Sequence, residues 1–109
     1  MRVHEELGPG LLESTYATCL AHELSLARIP FRRELALPVR YRGVVLESGF
    51  RIDLLVDDAV VVEVKAVDAL MRVHESQLLT YLKLTGLRTG LLVNFNVRLL
   101  KDGVRRLVR

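Results

Sequence analysis

Six consecutive residues, Val60-Val61-Val62-Glu63-Val64-Lys65, constrain this chain more than any other feature. β-Branched side chains fit a pleated surface, and a run that is apolar on both faces requires cover on both sides. The spacing therefore predicts a central strand over residues 59–65, entered from a turn at Asp57-Asp58. Glu63 and Lys65 close that strand, where charges are costly to bury unless they meet a partner or a cation.

The remaining elements follow from shorter signals. Gly8 ends a short opening helix, Pro9 suits a first helical position, and a second helix runs over residues 11–26 with Leu12, Tyr16, Cys19, Leu20 and Leu24 as its apolar face. Leu35, Leu37, Val39 and Tyr41 alternate along a strand over residues 34–41, and Arg42-Gly43 reads as a turn. A further strand carries Phe50, Ile52, Leu54 and Val56 on one face, which sends Asp53 to the other. Asp68 is a fair N-cap for a helix over residues 69–84 that Gly86 ends, and residues 89–95 form another buried strand. Asp102-Gly103, between Leu99-Leu100 and residues 104–108, signals a closing hairpin. A helix between two buried strands implies one parallel pairing and the hairpins imply antiparallel ones, so the expected fold is α/β with a mixed sheet flanked by helices.

At 109 residues, with 37 Leu and Val, the chain is expected to be one domain over residues 1–109 with a packed core, which excludes a multidomain enzyme and a disordered chain. No apolar run reaches the roughly 20 residues of a membrane span, and Met1 to Glu6 lacks a signal-peptide profile. A cytoplasmic protein with no membrane role is expected. The one cysteine, Cys19, has no internal disulfide partner and no ligand set of the zinc type, so metal chemistry here would be carboxylate chemistry. Thirteen of the 16 basic residues are Arg, yet a net charge of +3 is far from a basic stripe that by itself argues for nucleic-acid binding.

Asp53 lies within one predicted strand, and Glu63 and Lys65 share a face at the end of the next. Strand pairing can bring the three together. Two carboxylates and an ammonium suit phosphodiester hydrolysis: oxygen ligands for a hard divalent ion, and a cation to orient water or offset developing charge. Acid-x-Lys alone is a weak signal, and an ordinary surface pair on an edge strand competes with it. On the following helix His74, Gln77 and Tyr81 project from one side, where a core role for Tyr81 and a surface role for His74 are the plain alternatives.

Asp53, Glu63-x-Lys65 and Gln77-x-x-x-Tyr81 resemble the PD-(D/E)XK nuclease superfamily, the last part being similar to the helix motif of its RecB-like branch. Gly10-Leu11-Leu12-Glu13-Ser14-Thr15-Tyr16, with the preceding Val3 to Gly10, Tyr81-Leu82-Lys83 and Gly90 to Phe95, is similar to the small GxxExxY proteins. The resemblance covers almost the whole chain with its motifs in order. It implies a restriction-endonuclease-like core, with Asp53 and Glu63 as metal ligands, the Val64 carbonyl as a third, and Lys65 as the catalytic lysine. It further implies that Glu13 reaches the ion directly or through water, and that Gln77 and Tyr81 orient the site or bind the substrate phosphate. The resemblance also implies a longer segment before Val3 than this chain carries, so the short opening helix is expected either to expose apolar surface or to reflect a choice of start site, and a homo-oligomer is expected. The expected function is a Mg²⁺- or Mn²⁺-dependent nuclease acting on DNA or RNA. The competing expectation is a catalytically silent assembly protein, a homo-oligomeric scaffold or the partner of another protein, that keeps the nuclease fold.

Overall fold

A computed structural model describes residues 2–47 and 49–109. The run 60–65 is indeed central: it forms β5 (Val60–Lys65), flanked by β4 (Arg51–Val56) and β6 (Thr89–Asn94) in a five-stranded sheet of order β1-β4-β5-β6-β7. β1 (Phe31–Ala36), β4 and β5 form an antiparallel meander, β5 and β6 are parallel, and β7 (Val104–Val108) closes the sheet antiparallel to β6. The helix α3 (Arg72–Thr85) links the parallel pair.

Two cores sandwich the sheet. Val62 and Val64 enter the first with Tyr16 and Ala17 of α2 (Glu13–Leu26) and Val3 of α1 (Arg2–Leu7). Val61 enters the second with Leu78, Tyr81 and Leu82 of α3. Every residue of β5 except its ends is buried, which is why its sequence reads as nearly unbroken valine rather than alternation.

Five expectations need correction. Residues 34–41 are not one strand: β1 ends at Ala36, and Val39–Tyr41 form β2, which pairs with β3 (Val44–Leu46) in a separate ribbon. Pro38 lacks the N–H that a continuous ladder would need there. The Arg42-Gly43 turn joins the ribbon as expected, both residues having positive φ. The second helix begins at Glu13, and its buried face is Tyr16, Ala17 and Ala21, where the two alanines let it approach the sheet closely, while Leu12 is 74% exposed. In β4, Leu54 packs in the first core and Ile52 in the second, so Phe50 to Val56 do not share one face.

The two remaining corrections concern helix and hairpin ends. Asp68 does not cap α3, which starts four residues later with the Met71 N–H donating to His74 Nδ1 at 2.9 Å. A histidine at that position supplies an acceptor for an N–H group that the start of a helix otherwise leaves free. Leu99-Leu100 are not a strand; Leu100–Gly103 form a 3-10 turn, and β7 finds its partner in β6. Gly103 allows this, since a Cβ there would collide with the Asn94 carbonyl oxygen.

Candidate functional site

The β4–β5 ladder stops at Leu54 opposite Val62, one pair short of Asp53 opposite Glu63. Beyond that point side chains replace backbone. The Asp53 N–H donates to Glu63 Oε1 at 3.2 Å, and the Val64 N–H donates to Asp53 Oδ2 at 2.8 Å. The two strands thus part into a fork whose inner edges are held by two carboxylates. The pairing of β1 with β4 skips the same point, since Glu34, opposite Asp53, has φ of 51°. A kink there explains how Ile52 and Leu54 reach opposite cores.

Glu63 and Lys65 alternate with Val62 and Val64 and so face α3. There Lys65 Nζ donates to Gln77 Oε1 at 3.5 Å. Tyr81, one turn on, is buried in the second core while its ring meets Phe50 at a centroid distance of 6.0 Å. Tyr81 is therefore both a core aromatic and a neighbour of the site. Its hydroxyl pKa is raised by burial and then by the charges of Glu63 and Asp53, with the Gln77 amide pulling the other way.

Electrostatics in the fork are dominated by burial and by crowding of like charge. Glu63 is 4% exposed, and burial, followed by the Asp53 charge, pushes its carboxyl up to about 8. Burial also raises Asp53, opposed by the Val64 N–H and Lys65 and reinforced by Glu34 and Glu13. Two carboxylates this close retain a proton unless a cation neutralises them.

The donor set fits a hard divalent ion. Asp53 and Glu63 each accept a backbone N–H through one oxygen, and the two carboxyl groups also hydrogen-bond to one another, so an ion would take the place of the proton they share. Because N–H and C=O of one strand residue point to the same side, the Val64 carbonyl also faces the fork, whereas the Lys65 carbonyl faces β6 and accepts from the Phe95 N–H at 2.9 Å. Among the described residues, no three His, Cys, Asp or Glu side chains gather as a metal-holding group. Glu13 lies near enough for its charge to raise Asp53, and its Oε2 accepts from the Ala66 N–H at 3.3 Å. In this place it braces the chain just beyond Lys65.

A second brace has no counterpart in the sequence motifs. Asn94, opposite Lys65 in the parallel register and 1% exposed, accepts from the Val67 N–H at 3.1 Å and donates to the Val67 carbonyl at 2.9 Å. A buried amide at the end of a parallel strand is the signal for it, since such a group must find backbone partners. Glu34 is likewise silent in the sequence, because only the β1–β4 register places it opposite Asp53.

Tyr16 has a structural task. Its hydroxyl donates to the Gly8 carbonyl at 2.5 Å and accepts from the Leu11 N–H at 3.1 Å, and its ring stacks on Phe95 at 4.4 Å. The spacing from Gly8 to Tyr16 thus ties the α1–α2 turn to the sheet. His4, beside it, contacts the Val97 carbonyl at 2.7 Å.

A mixed sheet between helices, with a carboxylate pair and a lysine at a strand fork, defines a restriction-endonuclease-like α/β protein. The chain belongs to the PD-(D/E)XK nuclease superfamily, whose family model matches residues 1–107. Neither the curated proteins nor the solved structures compared with it gave a match. No helix among the described residues is long and apolar enough to cross a membrane.

Proposed function

We propose that the protein is a nuclease that hydrolyses phosphodiester bonds of DNA or RNA with Mg²⁺ or Mn²⁺. The observation that carries this reading is the fork itself: two carboxylates meet across the ends of β4 and β5, and Lys65 leaves the same face toward Gln77. In the proposed site Asp53, Glu63 and the Val64 carbonyl hold the ion, which when bound supplies Lewis-acid polarisation of the phosphate. Lys65 orients the attacking water and offsets negative charge that gathers on the phosphoryl oxygens. Gln77 holds the lysine, and Tyr81 holds Gln77 and shields the site from the second core. Glu13 and Asn94 brace the segment after Lys65, so the ammonium has a fixed base from which to act.

The family supports nuclease chemistry, and the chemistry of the donor set supports the ion. The decisive experiment incubates the pure protein with single- and double-stranded DNA and RNA, in Mg²⁺, in Mn²⁺ and in chelator, beside Lys65→Ala. Cleavage that requires metal and Lys65 is the expected result. An inactive wild type indistinguishable from Lys65→Ala would favour the assembly reading instead. Self-association, most simply as a dimer, belongs to the same proposal, and the exposed Leu7, Leu11, Leu12 and Leu26 support it.

A further inference from the structure

The β2–β3 ribbon takes no part in the site described above, yet it is rooted beside it. The chain leaves the sheet at Pro38 and returns through Phe50, whose ring lies against Tyr81, and Asp53 follows two residues after Arg51. We propose that this ribbon is a substrate arm, in which Arg40, Tyr41 and Arg42 hold an unpaired stretch of the nucleic acid whose backbone is cut at the fork. The inference rests on the nuclease reading and adds to it the surface that grips the substrate.

Three observations carry it. First, Arg40 and Arg42 are exposed and their guanidinium groups make no hydrogen bond or ion pair among the described residues, so both are available to phosphates. Glu47 is the one acid in residues 39–47. Second, the fork is itself acidic, so a polyanion must be held by cations placed elsewhere on the surface; the arm, joined to the sheet through Phe50 beside Tyr81, offers two. Third, Tyr41 lies between them, 52% exposed, and the register Tyr41 opposite Val44 and Val39 opposite Leu46 puts all four on one face. An aromatic ring on an apolar ledge, with Arg42 at the adjoining turn and Arg40 on the opposite face of the narrow ribbon, suits a base stacked on the ring with phosphates along the ribbon's edge. A ribbon two strands wide lets the long Arg40 stem reach round its edge. Four side chains fall well short of the roughly 800 Å² that each subunit of a stable complex buries, which disfavours a second copy as occupant.

The test measures equilibrium binding of labelled single- and double-stranded oligonucleotides in chelator, where no cutting occurs, over a range of salt. Arg40→Ala/Arg42→Ala should weaken single-strand binding and lower the slope of log affinity against log salt by about 1.4, or about 0.7 for each phosphate no longer neutralised. Tyr41→Ala should weaken binding about tenfold with the slope unchanged. Arg98→Ala/Lys101→Ala, which removes the same charge elsewhere, should leave both nearly as in wild type. Circular dichroism checks that each variant is folded. Arm variants that bind like wild type, or a control that loses as much, would overturn the arm while leaving metal-dependent cleavage intact. A change of mass on Tyr41→Ala without loss of binding would also overturn it, in favour of self-association. Arm-dependent binding without any cleavage in Mg²⁺ or Mn²⁺ would support the arm and overturn the nuclease reading.

Discussion

Glu63 sits in the most apolar strand of the chain with its carboxyl raised to about 8, against 4.5 when unfolded. Between those two values the folded state binds the proton that the unfolded state has lost, so stability is fully present below about pH 4.5 and is lost as pH rises to about 8. Without divalent ions, Tm should therefore fall by at least about 4 °C between pH 5 and 8. Saturating Mg²⁺ or Mn²⁺ should restore the loss at pH 8, and Glu63→Gln should show neither effect; a flat wild-type profile in a calorimetric scan would show that the fork holds no proton. In the proposed site Lys65 acts differently, since it is not among the ligands assigned to the ion. Lys65→Ala should lose about 10²- to 10³-fold in cleavage while manganese binding, followed by electron paramagnetic resonance, persists. Asp53→Ala should lose both, because a site with one carboxylate fewer holds its ion poorly. Gly103→Ala should cost about 1–3 kcal/mol in urea unfolding, because its Cβ would meet the backbone oxygen of Asn94, which cannot swing aside as a side chain would. Glu63 and Lys65 are legible because alternation along β5 assigns them one face, and Asp53 is legible only by its spacing from them, since alternation in β4 breaks at that residue; Asn94 and Glu34 are not, because each meets the site only through a partner strand.

Elements meet their sequence signals most closely where a single local rule operates. Gly86, with φ of 76°, ends α3 as a left-handed cap should, and Asp57 and Asp58 make the β4–β5 turn with positive φ. The opening elements depend on a longer link. Tyr16 joins α2 to the Gly8 carbonyl and the Leu11 N–H, so Tyr16→Phe should cost about 1 kcal/mol and speed amide exchange in α1 more than in β5. Uniform acceleration across both elements would show instead that the hydroxyl serves the global fold. At the start of α3 the local rule fails, because residues able to cap a helix are common in sequence and Asp68 is only one of them. His74 takes the role, since Asn94 already fixes the Val67 backbone in a non-helical path.

Taken whole, the molecule leaves apolar surface open away from the ribbon: Leu12 and Leu26 beside and on α2, and Val108 on the edge strand β7, are all more than half exposed. Light scattering at micromolar concentration should give the mass of a dimer; a clean monomer would place these side chains among the scattered exposures that soluble proteins tolerate. Edge strands β1 and β7 carry Arg32, Arg33, Arg105 and Arg106, charges that discourage open-ended sheet growth, so a closed assembly is expected over a filament.

Sequence alone determined the central strand and the mixed sheet, because burial on both faces and turn chemistry are local properties that a run of residues carries with it; it singled out Asp53, Glu63 and Lys65 by their spacing. The tertiary structure decided the rest. It split residues 34–41 at Pro38, sent Ile52 and Leu54 into opposite cores, set Glu13 on the Ala66 N–H, and opened the β4–β5 ladder so that Asp53 and Glu63 face one another. Those outcomes depend on register between strands distant in sequence, and register is set by the packing of the whole sheet between its two helical layers, which no window of neighbouring residues contains.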